Sequence, residues 1–135
     1  MALVTIATDA SFDTNTASRA PHIAGDFLAG EDLLALAPCY IKASDGKVYM
    51  TNATAAGTET TRLAGFTARA VVAGQVVELI GAGARARYAA SGLTPGAILF
   101  LGATAGRLDT AATTGDAVGA AQAITDTDIR ITRLI

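Results

Sequence analysis

The stretch that most constrains this chain is Cys39-Tyr40-Ile41-Lys42-Ala43-Ser44, the pair Asp45-Gly46, and Lys47-Val48-Tyr49-Met50-Thr51. Asp-Gly between alternating residues is a strong hairpin signal, because a two-residue type I′ loop needs positive φ at both of its positions. Such a loop predicts that Ala43 faces Val48, Lys42 faces Tyr49, Ile41 faces Met50 and Tyr40 faces Thr51. One face then carries Ala43, Val48, Ile41 and Met50, and the other carries Lys42, Tyr49, Tyr40 and Thr51. A second stretch repeats the plan with a longer loop: Ala97-Ile98-Leu99-Phe100-Leu101-Gly102, then Ala105-Gly106-Arg107-Leu108-Asp109-Thr110. Two copies are too few for a solenoid, so they read as two hairpins of one β domain.

At 135 residues the chain is long enough for one domain with a core of its own. Its single cysteine, Cys39, excludes an internal disulfide and reads as a buried apolar thiol. No apolar run reaches the length of a membrane helix, and no basic stretch followed by an apolar one marks a signal peptide. The net charge of −2 argues against nucleic acid as a partner, since duplex binding rests on a basic surface. Eight of the ten basic residues are arginine, which suits bidentate contacts at protein interfaces.

Along the chain, residues 1–25 differ from the rest. Leu3, Val4, Thr5 and Ile6 could pair as a strand, but positions 8–19 are dominated by Thr, Ser, Asp and Asn, with Phe12 the one large apolar side chain. A tract of this kind cannot offset its ordering entropy alone, so residues 1–25 are expected to form an extended arm, with residues 26–135 as the β domain. Glu31 to Leu36 would make a short helix or an extended lead-in, ending before Pro38. Residues 66–72 and 75–80 are expected to form two strands around Ala73-Gly74, with Ala68 facing Leu79, Arg69 facing Glu78 and Ala70 facing Val77. Thr94-Pro95-Gly96-Ala97 has Pro and Gly where a type II turn wants them. In the last strand Ile129 and Ile131 share a face with Arg133, so the alternation breaks at its end, as expected where a strand leaves the core or meets another subunit.

Chemistry is sparse. Val76-Val77-Glu78-Leu79-Ile80 followed by Gly81-Ala82-Gly83-Ala84-Arg85-Ala86 spells a dinucleotide fingerprint. That motif requires a helix after the glycines and an acid about twenty residues on, but Pro95-Gly96 intervenes and Leu101 stands near the acid's place. The expectation is a glycine bend leading to a strand over 85–89, with no cofactor. One His and one Cys assemble no transition-metal cluster and no nucleophile elbow surrounds any serine, so no catalytic or metal-binding residue is assigned.

From Gly30 to Ile135 the order of modules resembles the small decoration, or cement, proteins of tailed-bacteriophage capsids. The matching pieces are Asp45-Gly46-Lys47-Val48, Ala64-Gly65-Phe66, Ala73-Gly74-Gln75-Val76-Val77, Thr94-Pro95-Gly96 before Ile98-Leu99-Phe100-Leu101, Gly106-Arg107-Leu108, and Val118-Gly119-Ala120-Ala121 before a terminal strand. The resemblance implies a mainly β, barrel-like or tulip-like domain with no enzymatic activity. It also implies a place on the exterior of an icosahedral virion, after assembly in the host cytoplasm, with the major capsid protein and further copies of itself, as trimers, for partners, and no membrane. Leu3, Val4, Ile6 and Phe12 in the arm and Arg130, Arg133 and Leu134 at the other end are the expected contact residues. The alternative is a small ligand- or carbohydrate-binding β module, against which stand the absence of Trp and the dispersal of the three Tyr.

Overall fold

The computed structural model describes residues 2–12 and 22–133. It is mainly β, as the alternating stretches predict, with two antiparallel sheets and a single 3₁₀ turn at Glu59–Thr61 among the described residues. The strands are β1 (Ser11–Phe12), β2 (His22–Leu28), β3 (Pro38–Ile41), β4 (Val48–Met50), β5 (Gly65–Thr67), β6 (Val76–Ile80), β7 (Arg85–Arg87), β8 (Ile98–Leu101), β9 (Leu108–Asp109), β10 (Ala121–Ala123) and β11 (Asp128–Ile131). One sheet runs β1-β7-β11-β10-β8-β9 and the other β2-β6-β5-β3-β4. In the second, a parallel bridge from Ala29 to Val48 and a bond from the Gly30 amide to the Val48 carbonyl join the end of β2 to β4. That contact occupies backbone groups that an open edge would leave unpaired.

Period-two alternation sets the core. Ile129 and Ile131 on β11, Leu99 and Leu101 on β8 and Ala121 and Ala123 on β10 point inward, and with Leu108, Phe66 and Tyr88 they form the larger cluster. A smaller cluster gathers Ala29, Leu33, Ala37, Cys39, Val48, Val71, Val77 and Leu79. Cys39 is buried there as expected; burial first, and then Glu31, raises its thiol pKa, which keeps it protonated and unreactive.

The first hairpin forms where the sequence places it, but in another register. Cys39 faces Met50, Tyr40 faces Tyr49 and Ile41 faces Val48. Lys42 and Lys47 close a four-residue loop, in which the Gly46 amide donates to the Lys42 carbonyl at 2.8 Å. Gly46 lies at φ +69°, whereas Asp45 does not have the positive φ that a type I′ turn demands. Asp45 instead uses its side chain, accepting from the Lys47 amide at 2.9 Å and from the Tyr49 hydroxyl at 2.7 Å. Because the slip is two residues, each side chain keeps its expected face.

The second hairpin uses a loop of the same length. Phe100 faces Asp109 and Leu101 faces Leu108, Gly102 and Arg107 close the loop, and Gly106 sits at φ +73°. Its loop is therefore not longer than the first.

The 66–80 pair is corrected as well. The turn at Ala73-Gly74 is present, with Gly74 at φ +89° and the Gln75 amide bonded to the Val72 carbonyl. However, Phe66 faces Ile80 and Thr67 faces Leu79, one residue away from the expected pairing, and β5 stops at Thr67. The cause is the lead-in. The Thr67 hydroxyl donates to the Leu34 carbonyl at 2.5 Å and accepts from the Ala37 amide at 3.0 Å, while Leu33 and Val71 exchange backbone bonds. These bonds hold the lead-in in a non-helical path that turns at Leu36, whose φ is +56°, and exclude the helical option. The glycine bend at 81–84 leads into strand β7 rather than a helix, with Gly83 at φ +95°. At 94–97 the expected type II turn is present, with Gly96 at φ +86° and the Ala97 amide on the Thr94 carbonyl.

The N-terminal stretch differs from a free arm. Val4 is buried in the larger core and its amide donates to the Leu108 carbonyl, while Leu3 bridges Asp109 and the Ala7 amide donates to the Tyr88 carbonyl. Asp109, itself buried, accepts from the Ala2 amide at 3.1 Å. Farther along, Ser11 and Phe12 pair with Arg87 and Ala86. Residues 2–12 thus run from the β9 edge of the six-stranded sheet to its β7 edge. The expected boundary at residue 25 falls inside β2, whose His22 and Ile23 pair with Ile80 and Leu79. Residues 13–21 lie outside the described residues. Sheet edges offer partners to strand-forming segments nearby, and within this chain Leu3 and Val4 take the β9 edge while Ser11 and Phe12 take the β7 edge.

Candidate functional site

The expected contact residues separate into different environments. On the outer face of the six-stranded sheet, the registers of β8, β10, β11 and β7 align Ile98, Gln122, Arg130 and Arg85 in one row. Arg130 is exposed there and donates to the Gln122 side-chain oxygen at 2.9 Å, while the Gln122 amide reaches the Gly96 carbonyl. Arg85 pairs with Asp128 at 2.9 Å, and Arg87 lies 3.1 Å from Asp9. On this face Arg85 and Arg87 each have a carboxylate partner, whereas the more exposed Arg130 bonds a neutral amide.

Arg133 does something else. The amides of Thr132 and Arg133 both donate to the Ala120 carbonyl, at 3.1 and 3.4 Å, so two residues just past β11 oppose the one residue that precedes β10. This β-bulge is the physical reason the alternation breaks, and it re-aims Arg133. The Arg133 guanidinium donates to the Gly119 carbonyl at 3.0 Å and pairs with Asp116. Asp116 is 3% exposed and also accepts from the amides of Leu101 at 2.7 Å, Val118 at 3.1 Å and Gly119 at 3.0 Å. Burial pushes its carboxyl up, but the Gly119, Leu101 and Val118 amides and the Arg133 charge outweigh that and hold it below the usual carboxylate range. Arg133 therefore makes its ion pair and its carbonyl bond within its own chain.

Of the other expected contacts, Leu3 is 45% exposed, Val4 is buried and Ile6 packs partly against the core. Phe12 is placed by its backbone on β7, and Leu134 lies outside the described residues. Two exposed apolar groups were not among the expected contacts. Leu28 and Val76 are cross-strand partners at the end of β2 and β6, exposed at 40% and 57%, and Val72 stands at the adjoining turn. On the other sheet are Ile98 and Val118. The signal for Val76 was present in its strand, where it shares the outward side with Glu78 while Val77 and Leu79 point in.

Two of the three tyrosines come together, contrary to the expected dispersal. Tyr40 and Tyr49 face each other across β3 and β4 with ring centroids 6.0 Å apart. Lys42 Nζ lies 4.8 Å from the centre of the Tyr49 ring, whose phenol end is packed so closely on Gly30 that a side chain there would overlap it. The protein's own groups thus cover part of the Tyr49 ring. No protein-family model matches the chain, and no curated protein matches it either.

Proposed function

We propose that this protein is a capsid decoration protein, a non-enzymatic cement that binds the outer surface of an icosahedral phage shell and joins neighbouring major capsid subunits, as a trimer. The observation that carries the reading is the order of turns and strands from Gly30 onward, which resembles that family. The fold adds support, since its turns at Gly46, Gly74, Gly96 and Gly106 all carry the positive φ that the glycines in those modules permit. The exposed Leu28–Val76 pair with Val72 supplies an apolar contact patch of the kind that protein partners cover, and Arg130 supplies a cation beside it in function but on the other sheet. Together these give two contact faces on one small domain, which suits a protein that touches more than one neighbour.

The reading is tested by mixing the purified protein with assembled shells of a tailed-phage major capsid protein. Saturable co-sedimentation, with three copies clustered in images of the shell, is the expected result. Absence of binding at micromolar concentration overturns the reading, and isolated bound monomers overturn its trimeric part. Leu28→Thr with Val76→Thr, on an exposed face, should weaken binding while leaving melting nearly unchanged.

A further inference from the structure

The chain holds one Asp-Gly pair and no Asn-Gly pair, and that pair is Asp45-Gly46 at the exposed tip of the first hairpin. Such a dipeptide can rearrange without an enzyme. The glycine nitrogen bonds to the aspartyl Cγ, the carboxyl hydroxyl leaves with that nitrogen's proton as water, and a five-membered succinimide closes. Water then opens the ring at either carbonyl. One opening restores aspartate, and the other leaves an isoaspartyl link in which the main chain runs through Cγ. Glycine favours the first step because no Cβ shields its nitrogen. Ring closure therefore needs a free amide, a carboxyl free to swing onto it, and a proton on that carboxyl.

The hairpin tip opposes all three. The Gly46 amide is spent on the Lys42 carbonyl at 2.8 Å. Both carboxylate oxygens of Asp45 are also engaged, Oδ1 by the Lys47 amide at 2.9 Å and Oδ2 by the Tyr49 hydroxyl at 2.7 Å. Lys47 is a residue of the loop's own closure, whereas the Tyr49 ring is held from outside the loop by Tyr40 and by its close packing on Gly30. The bond from Tyr49, then that from the Lys47 amide and the charges of Lys42 and Lys47, keep the carboxyl below the usual carboxylate range, so its protonated form is scarce. We propose that Asp45-Gly46 is a latent isomerisation site and that the Tyr49 hydroxyl is its lock, keeping the ordinary linkage while the hairpin is closed and permitting isoaspartate once that bond is lost. This goes beyond the decoration reading and does not depend on it.

The experiment ages the full chain at neutral pH, below the onset of melting, as wild type, Tyr49→Phe and Tyr40→Phe, with wild type in concentrated urea as the unlocked reference. Trypsin then releases the peptide from Ala43 to Lys47, whose aspartyl and isoaspartyl forms have equal mass but separate by chromatography. Tyr49→Phe keeps the ring and its packing and removes only the hydroxyl, and Tyr40→Phe leaves both bonds of Asp45 in place. The expected result is isoaspartate accumulating several-fold faster in Tyr49→Phe than in wild type, no faster in Tyr40→Phe, and fastest in urea. Equal rates in folded wild type and in urea overturn the proposal without any variant, because the closed tip would then protect nothing. Equal rates in Tyr49→Phe and wild type overturn the role of the hydroxyl. A rise in Tyr40→Phe as large as that in Tyr49→Phe also overturns it, by assigning protection to the stiffness of the hairpin rather than to the bond on Asp45.

Discussion

The hairpins β3–β4 and β8–β9 share one loop length and one closing residue, a glycine at φ +69° in the first and at φ +73° in the second, but their tips differ in surroundings. Around Gly46 a Cβ would meet nothing within 4 Å. Gly106 presses on Met50, and its amide donates to the Thr51 carbonyl at 3.0 Å, so the second tip is docked on the end of the first hairpin. Each hairpin also has a supporting carboxylate. Asp45 works at the surface within its own loop, whereas Asp116 is buried and ties Leu101 to the turn at 118–119 and to Arg133. Local turn grammar is therefore the same, and tertiary contact decides how much each hairpin matters to the whole.

The largest expected effect is at Asp116. Asp116→Ala leaves three amides without their acceptor and Arg133 without its charge partner, with only the Gly119 carbonyl remaining to it, and removal of one partner of a buried pair costs about 3–5 kcal/mol. Denaturant unfolding should show that loss near neutral pH. The folded-state carboxyl is depressed, so its contribution is present above the ordinary carboxylate pKa of about 3.9 and is lost as pH falls through the lower folded value. The gap between wild type and Asp116→Ala should therefore narrow on acidification below that range. A gap that stayed constant with pH would show that Asp116 acts through packing rather than charge.

Next is removal of residues 1–10, which uncovers β9 of the second hairpin and takes Val4 out of the core. Burial of a valine side chain is worth roughly 1.5–3 kcal/mol, and the bonds to Leu108 and Asp109 add to it. Melting at lower temperature is expected; unchanged melting would return the segment to the status of a detachable arm. Gly106→Ala should follow at about 2 kcal/mol, combining the strain of alanine at positive φ with overlap against Met50. Met50→Ala in the same chain should recover the overlap part, so a double-mutant cycle that shows no coupling between positions 50 and 106 would undo the docked-tip account.

Where physical cause was local, the sequence was legible. Positive φ at Gly96, the bend at Gly83, the buried thiol of Cys39 and the inward faces of Ile129 and Ile131 all follow from residues within a few positions of one another. Register was less so, because Asp-Gly permits both a two-residue loop and a four-residue loop in which Gly alone takes positive φ. A choice between them depends on Asp45 bonding Lys47 and Tyr49, which no pattern of alternation reveals. Pairings set by distant chain were not legible at all: Thr67 stops β5 by bonding residues 34 and 37, and Val4 finds Leu108 more than a hundred positions away. The same limit applies to the contact residues. Asp116 reads locally as a turn former, since it binds amides two and three residues on, but its partnership with Arg133 requires β10 and β11 to be paired first.

The smallest effect sharpens the comparison most. Gly46→Ala meets open space, so only the backbone penalty remains, about 1 kcal/mol for an L-residue in the left-handed region. Its loop would keep the Lys42–Lys47 closure and the side-chain bonds of Asp45, because neither involves the new methyl group. Gly46→Asn should cost less than Gly46→Ala, as asparagine tolerates this conformation better than other non-glycine residues. At Gly106 the order should reverse, since asparagine is larger than alanine and Met50 Cβ stands 3.3 Å from where the added carbon would lie. Chemical denaturation of the four single variants measures both orders at once. An asparagine advantage of equal size at both positions would mean that backbone conformation alone governs both tips, and that the contact between Gly106 and Met50 yields easily to a larger side chain.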